Sequence, residues 1–326
     1  MALTRVQDVI VPEVFSPYVS DMALATSRAI TSGAVTVNPT LSTFLAGGGL
    51  TVNVPSWPAI DDDAAYKVPS DAATEITPLR TEANRQIAVR VKGVEAYNTT
   101  KLAAALAGSN PLEDVAARIA GAINNKRQVA LMSQLDGLFA TALEDLEEDI
   151  SAVVGVGGTF NKDSLIDAMA PFGDFLGLDS VLVVHSDIYR KMQKEQTVVT
   201  QFIPVGDLSV RMDSYLGYPV IVDDNGTKIA GTTPLYKSYI MRPGAVGIGT
   251  GTVEVVMHDE PLRGNGGGIE YLILRDSFSF HVGGTRFTSD TITGETPSTA
   301  DLAVAANWQK VLDDKQIGVA RLVSRL

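Results

Sequence analysis

Two segments in which apolar and polar residues alternate are separated by about thirty residues without such a pattern, and this arrangement constrains the fold most. The first segment is LTVNV at 50–54, and the second is QIAVRVKGV at 86–94. Strict alternation predicts a strand with one buried face. The residues between them are rich in Pro, Asp, Ala and Ser. Because unstructured loops longer than about 15 residues are uncommon inside a compact domain, this excursion must project from the body if the two strands pair.

Such a projection is long enough to lie on a neighbouring molecule. At about 3.3 Å per residue, about twenty residues in each direction extend up to roughly 60 Å, which exceeds the radius of one domain. Three glycines, Gly47, Gly48 and Gly49, precede the first strand and predict a hinge. The pattern also allows a second interpretation, a partly disordered surface loop.

Several residues inside the excursion are candidates for contacts. Trp57 and Tyr66 could anchor an interface, although isolated aromatic residues more often belong to ordinary packing. The triplet Asp61, Asp62 and Asp63 could attract Ca²⁺, but it lacks the Gly and the distal Glu that calcium-binding loops use. We therefore predict interaction roles, and no metal site, for this part of the chain.

The clearest helix signal runs from Asn110 to Leu143. A polar cap comes before Pro111, and apolar residues then recur at helical spacing. At 1.5 Å per residue this helix is about 50 Å long, and other elements must pack along it. Gly121 and Gly137 weaken it locally and predict a bend.

The residue patterns before and after this helix predict different kinds of structure. Residues 1–45 mix short apolar groups with prolines and predict an arm that holds one helix at 17–32. From 159 to 260 short apolar runs alternate with helical patterns, which predicts an α/β block. The end of the chain predicts two alternating strand limbs, a capped helix and a final strand, at 267–290, 297–312 and 317–323.

Composition disfavours several classes of function. The chain has no cysteine, which excludes disulfides, zinc ribbons and thiol nucleophiles. Its three histidines, His185, His258 and His281, are far apart and form no metal-binding pair. A net charge of −12 disfavours tight nucleic-acid binding, because that binding needs basic residues to neutralise phosphates. No apolar stretch approaches the roughly 20 residues of a membrane span, and no signal peptide is recognisable, so we expect a protein made and soluble in a cytoplasm.

Asp223 and Asp224 end the apolar run YPVIV, where α/β enzymes often keep a metal or a general base. Neighbouring residues of a strand point to opposite faces, and the following Asn225-Gly226 is a strong turn signal. We therefore expect a solvated turn. The glycine-rich stretches at 155–158 and 247–252 match no phosphate-binding motif, and close backbone packing along a strand explains Gly247 and Gly249 better.

In this order, the arm, the long excursion, the long helix and the α/β block resemble the major capsid protein of tailed bacteriophages, with the Hong-Kong-ninety-seven fold. YLGYPVIVDD and KSYIMRPGAVGIG are similar to the axial-domain pattern of such coats, and FSFHVGGTRFTSD and PSTADLAVAANWQKV resemble the ending of one coat subfamily. The resemblance implies an α+β fold with an N-terminal arm, an extended β-hairpin loop, a peripheral domain with a long spine helix, an α/β axial domain, and peripheral strands with a C-terminal segment, at 1–47, 48–95, 96–150, 151–262 and 263–326.

The resemblance also implies a function. Subunits of this family form hexamers and pentamers that close into an icosahedral shell around double-stranded DNA, so we expect a virion protein assembled in the host bacterial cytoplasm, with no enzymatic activity, cofactor or metal. The implied partners are copies of itself, a portal, a possible decoration protein, and DNA held weakly and non-specifically, with no membrane. Some relatives carry a scaffolding segment ahead of the arm; this chain starts almost at the arm, so we expect a separate scaffolding protein.

Some relatives crosslink through Lys and Asn, and Lys67 could take that role, although a free surface lysine is the preferred interpretation. Two other functions stay open. The first is an encapsulin nanocompartment, which has the same fold and encloses a protein cargo. The second is a metal-dependent α/β enzyme that uses Asp223 or Asp224 with His185 or His258.

Overall fold

The computed structural model describes residues 35–56, 84–107, 111–175, 180–195, 198–205, 208–251, 253–263, 267–288 and 291–326. The helices are α1 (Pro39–Ala46), α2 (Lys101–Ala107), α3 (Pro111–Phe139), α4 (Lys162–Met169), α5 (Ser186–Lys194) and α6 (Thr299–Leu302). The strands are β1 (Thr36–Val37), β2 (Thr51–Ser56), β3 (Asn84–Val89), β4 (Val91–Thr100), β5 (Glu147–Asp149), β6 (Val181–Val184), β7 (Val198–Val205), β8 (Leu208–Tyr215), β9 (Tyr218–Val222), β10 (Lys228–Ile229), β11 (Leu235–Met241), β12 (Val246–Thr250), β13 (Glu254–Glu260), β14 (Ile269–Val282), β15 (Thr285–Phe287), β16 (Trp308–Lys310) and β17 (Val319–Ser324).

These strands form three sheets. The central sheet has the order β5-β17-β11-β6-β9-β8-β7, and β10 pairs with β11. The long-strand sheet has the order β1-β12-β14-β13, and β4 pairs with the other side of β14. The loop-base sheet has the order β16-β15-β3-β2. The two alternating limbs predicted at 267–290 are one strand of 14 residues, β14, followed by β15.

The strand pair that opened the sequence argument is confirmed. β2 and β3 pair antiparallel, from Thr51 opposite Val89 to Ser56 opposite Asn84. Residues 57–83, which connect them, lie outside the described residues. The prediction that 86–94 is one continuous strand is wrong, because the chain leaves the loop-base sheet at Val89, skips Arg90, and enters the long-strand sheet as β4.

Helix α3 is shorter than the predicted 110–143. It ends at Phe139, where the chain widens into a turn in which the Leu143 N–H donates to the Leu138 carbonyl at 2.9 Å. Its last turns are fully buried at Leu131, Leu135 and Leu138. They belong to one continuous core that also holds residues of both the central and the long-strand sheets. The helix therefore serves as the shared support of two sheets.

The central sheet separates two cores. Strands β6 and β9 are parallel, and so are β5 and β17. Side chains alternate between the faces, so Val183 and Tyr239 pack towards α3, whereas Leu182, Val184 and Ile240 pack towards α4 and α5. Helices α4 and α5 thus cover one face of the central sheet and α3 covers the other.

The predicted helix at 297–312 is mostly absent. Only α6 forms, over one turn with a Ser298–Asp301 capping box. Asn307 is fully buried, and its side-chain amide donates to the carbonyls of Thr291 and Asp301. These bonds draw the chain out of the helix and into β16. The predicted final strand is confirmed as β17, which lies in the central sheet between β5 and β11.

Gly137 is explained by close packing. A Cβ at this position of α3 would lie 2.3 Å from the Leu302 carbonyl oxygen and 2.9 Å from Trp308 Nε1. The Trp308 indole N–H donates to that same carbonyl at 2.8 Å and packs edge-on against Phe287. The glycine therefore lets the tail of the chain pass directly over the helix.

We expect Gly137→Ala to destabilise the protein by about 1–3 kcal/mol. Alanine is favoured over glycine in a helix by about 1 kcal/mol, but the clash with backbone costs more, since overpacking costs typically about 1–3 kcal/mol and the indole bond is disturbed as well. Urea unfolding measures the difference. Gly93→Ala is the matched control, because its Cβ meets nothing within 4 Å. An unchanged or raised stability for Gly137→Ala would contradict this account.

Candidate assembly surfaces

The base of the extended loop is organised by one buried arginine. Arg90 is only 6% exposed and lies between β3 and β4. Its Nη2 donates to the carbonyls of Phe44 and Gly47, both at 2.8 Å, and its guanidinium lies 4.8 Å from the centre of the Phe44 ring. The C-terminal end of α1, where carbonyls lack helical partners and the dipole is negative, is the natural place for such a cation.

The three glycines lie in the turn that Arg90 spans. The Arg90 side chain holds the Gly47 carbonyl, while the Arg90 backbone N–H donates to the Leu50 carbonyl at 2.8 Å. Gly49 has a φ of 110°, which favours glycine, whereas a Cβ at Gly48 would meet nothing within 4 Å. The hinge role of Gly47, Gly48 and Gly49 stays a prediction. The other predicted interaction residues, Trp57, Asp61, Asp62, Asp63, Tyr66 and Lys67, lie outside the described residues.

A buried histidine connects the loop base to the longest strand. The Gln86 side-chain oxygen lies 2.8 Å from His281 Nε2 and also accepts the Gly284 N–H at 3.0 Å. Because that oxygen can only accept, the histidine carries a proton on Nε2. Burial lowers the pKa of His281 to about 4, so the ring is neutral near pH 7.

Two ion-pair clusters attach α3 to both sheets. Arg127 forms a two-pronged pair with Asp276 of β14, with N–O distances of 2.9 and 2.6 Å. Nine residues later, about 14 Å along the helix, Asp136 accepts from Lys237 of β11 at 2.6 and 2.7 Å and from Arg321 of β17 at 3.0 Å. None of the five side chains is more than 34% exposed, so removing one partner would leave a charge poorly compensated.

A family model now identifies the chain. The model of the Gp13-like family, described as major capsid protein 13-like, matches residues 53–319. The major capsid protein of Bacillus phage SPP1 is 31% identical over 331 residues, which cover 100% of this chain and 99% of that protein. The chain belongs to this family of major capsid proteins. The suspected resemblance to tailed-phage coats is therefore confirmed, and it supports the phage coat over the encapsulin alternative.

Solved structures show the same fold at low sequence identity. A chain from Mycobacterium phage Bobi matches with a TM-score of 0.58 and 15% identity, covering 99% of both chains. The capsid of cyanophage P-SCSP1u matches with a TM-score of 0.55 and 12% identity, covering 91% of this chain and 88% of that one. The predicted α+β, Hong-Kong-ninety-seven-like fold is confirmed for this family member.

The two aspartates at the end of β9 form a structural turn. Asp223 is 2% exposed, its backbone N–H donates to Val184 and its carboxylate accepts the Asn225 N–H at 3.0 Å. Asp224 is exposed and accepts the Ser186 N–H at 2.8 Å, at the start of α5. The expected solvated turn is thus right for Asp224 and wrong for Asp223, because Asp223 satisfies the backbone of its own turn inside the protein.

The structure brings together only some of the residues of the enzyme alternative. His185 lies 3.6 Å from Asp224, but His258 lies in β13 beside Tyr271, in another sheet. In the described ranges, no group of three or more His, Cys, Asp and Glu side chains is placed to hold a metal ion. Likewise, none of the helices described here has the length and apolar character needed to cross a membrane.

The close packing predicted for the glycines of β12 is confirmed. A Cβ on Gly249 would lie 2.5 Å from the Leu41 Cβ, and one on Gly247 would lie 3.3 Å from the Asn38 Cβ. The functional residues that sequence reasoning missed are Arg90, Asp136, Lys237 and Arg321. The sequence signal that could have identified two of them is a charged residue inside an apolar strand pattern, as Arg90 is in VRV and Arg321 is in ARLV.

His281 should make stability depend on pH in a defined window. Its pKa is about 4 in the folded protein and 6.5 as the ordinary value, so the unfolded chain binds more protons between these pH values. The contribution is complete above pH 6.5 and is lost as the pH falls towards 4, by roughly 3 kcal/mol in total. His281→Gln, which keeps an N–H donor, should remove this part of the slope when urea unfolding is measured from pH 7 to 4. Equal slopes for the two proteins would show that His281 titrates normally.

Proposed function

We propose that this major capsid protein self-assembles as hexamers and pentamers into an icosahedral shell that encloses double-stranded DNA. The observation that carries the proposal is the family match over 53–319, together with a relative aligned over its full length. A shell protein acts through its surfaces, so the features that matter are those a single subunit leaves uncovered.

The single subunit exposes large apolar side chains at two places in the chain. Leu262 is 99% exposed, and Val154 and Val156 are 93% and 84% exposed. Apolar side chains of this kind become buried when they lie in a contact with another protein. These two places are therefore candidates for contacts between copies.

Strand β13 supports the same conclusion. It forms one edge of the long-strand sheet, pairs only with β14 among the described strands, and exposes Val255, Val256 and Met257. Its sequence EVVMHDE has no Pro or Lys, and its acidic residues lie only at its two ends. The apolar middle of this edge is suited to a contact with a neighbouring copy.

The acidic balance of the chain fits a container for DNA. The net charge is −12, and most described basic side chains are already paired with carboxylates, as Arg127, Lys237 and Arg321 are. An acidic wall repels phosphate and lets the packaged duplex move, so we infer weak and non-specific contact with DNA. This contact needs no enzymatic step, cofactor or metal.

The finer details also belong to the proposal. We infer a place in the virion, assembly in the host bacterial cytoplasm, and a portal, a separate scaffolding protein and a decoration protein as partners. The domain division at 1–47, 48–95, 96–150, 151–262 and 263–326 is retained as a proposal, with two strands shared across it. β12 pairs with β14, and β17 lies in the central sheet.

Electron microscopy of virions, or of the chain produced together with its scaffolding protein, tests the function. We expect closed shells of tens of nanometres built from this chain, whereas only monomers or small oligomers of it would refute the proposal. Asp223→Asn separates the shell from the enzyme alternative, because asparagine retains the oxygen that accepts the Asn225 N–H. Shells of this variant should be intact, whereas a metal-dependent enzyme would lose its activity.

A further inference from the structure

The turn between β8 and β9 keeps an unfavourable residue. Leu216 has a φ of 53° and Gly217 a φ of 89°, and Leu216 is the one non-glycine residue with positive φ in the described part of the chain. A two-residue turn of this kind favours Asn-Gly, and a non-glycine residue in this region of φ and ψ is strained. Leu216 is 38% exposed, so the strain holds an apolar side chain at the surface.

That side chain forms one wall of an open groove. Leu216 and Tyr218 face the outer side of α4 and the turn after it, where Ile166, Met169, Ala170 and Gly173 complete a cavity of about 420 Å³. Ile166 is 52% exposed, and Asp167 also lines the groove. The α4 groove is therefore mostly apolar and carries one carboxylate.

Helices α4 and α5 differ in the balance of their exposed charges. Helix α4 exposes Asp163 and Asp167, one turn apart, with Lys162 as its one exposed base. Helix α5 buries Ile188 and Met192 and carries the half-buried Lys191 and the exposed Lys194, also one turn apart, with the exposed Glu195 at its C-terminal end. Within the described ranges, neither the two aspartates of α4 nor Lys191 and Lys194 have an ion-pair partner.

The surroundings of Lys191 agree with a contact at this face. Partial burial lowers the pKa of its ammonium, and the nearby Glu195 raises it by less. A carboxylate brought by another molecule would compensate for that burial.

We propose that the α4 groove of one copy receives the α5 face of the next copy, with Asp163 and Asp167 opposite Lys191 and Lys194. The inference rests on the proposed assembly function and names the contact that closes the ring. The occupant is a second copy because the complementary charges are carried by the same chain and are left unpaired there. The aliphatic stems of the two lysines would cover Ile166 and Leu216. Since donor and acceptor surfaces differ, the contact is heterologous, and its repetition generates a ring.

A charge exchange in the full chain tests the contact. Asp163→Lys/Asp167→Lys and Lys191→Glu/Lys194→Glu, each alone, should lower the yield of particles at least about tenfold under conditions in which the wild-type chain assembles, because like charges then face each other. The chain with all four substitutions should restore assembly. This chain keeps the net charge of −12, and it carries every unfavourable interaction with the dipoles of α4 and α5 that the two double variants carry separately. Restored assembly therefore cannot come from better folding.

Mixing the two double variants makes a sharper prediction. In the mixture, the groove of each double variant is opposite in charge to the α5 face of the other variant. A ring of six in which the two variants alternate therefore has opposite charges at every contact. A ring of five must place two copies of the same variant side by side, so it contains at least one contact between like charges. Electron microscopy of the mixture should therefore show hexamers without pentamers. Equal numbers of both rings, or none, would overturn the proposal.

Leu216→Asn separates the contact from stability. In the unassembled Asp163→Lys/Asp167→Lys background, this substitution should raise Tm by roughly 2 °C, because it relieves the strained turn. In the otherwise wild-type chain it should lower the particle yield at least about tenfold. Wild-type yields for Leu216→Asn, or for either charge-reversed double variant, would refute this contact and leave the shell function standing, whereas a wild-type chain that forms no particles even with its scaffolding protein would refute both.

Discussion

The fold depends on the burial of the last turns of α3 between two sheets. Leu131, Leu135 and Leu138 are fully enclosed by a core that includes strands of both the central and the long-strand sheets. Neither sheet can bury its inner face without this helix, because an antiparallel or mixed sheet needs a partner layer to cover its apolar side. Each fully buried leucine contributes of order 2 kcal/mol relative to exposure, so this one segment contributes to the stability of two structural units at once.

Charge pairs fix the position of the same helix. Arg127 points to the long-strand sheet, and Asp136 points to the central sheet. Buried ion pairs add little net stability but penalise arrangements in which a charge is left alone. The apolar core therefore provides most of the stabilising free energy, while the ion pairs of Arg127 and Asp136 fix the position of α3 along the two sheets. The helix is therefore held against both sheets by apolar packing and by paired charges.

Patterns that depend on local chemistry could be predicted from the sequence. Alternation in LTVNV and IAV was enough to pair β2 with β3, and the close packing of Gly247 and Gly249 followed from their period along a strand. Features that depend on contacts between residues far apart in the chain could not be predicted from the sequence. Alternation continues through Arg90, so nothing local marks the change of sheet, which depends on carbonyls of α1. The tail has good helix formers, but Asn307 finds backbone partners that draw the chain out of the helix. Asp223 looks solvated because a carboxylate in a turn usually is, whereas here it caps its own turn inside the core.

Native-state hydrogen exchange of an unassembled subunit tests the shared support most directly. If α3 holds both sheets as one unit, the amides of Lys237–Met241 in β11 and of Phe278–Val282 in β14 should open with free energies that agree within about 0.5 kcal/mol, since both require the same global unfolding. A β14 segment that exchanges through an opening several kcal/mol cheaper, while β11 stays protected, would show that the two sheets are stabilised separately and would contradict the account.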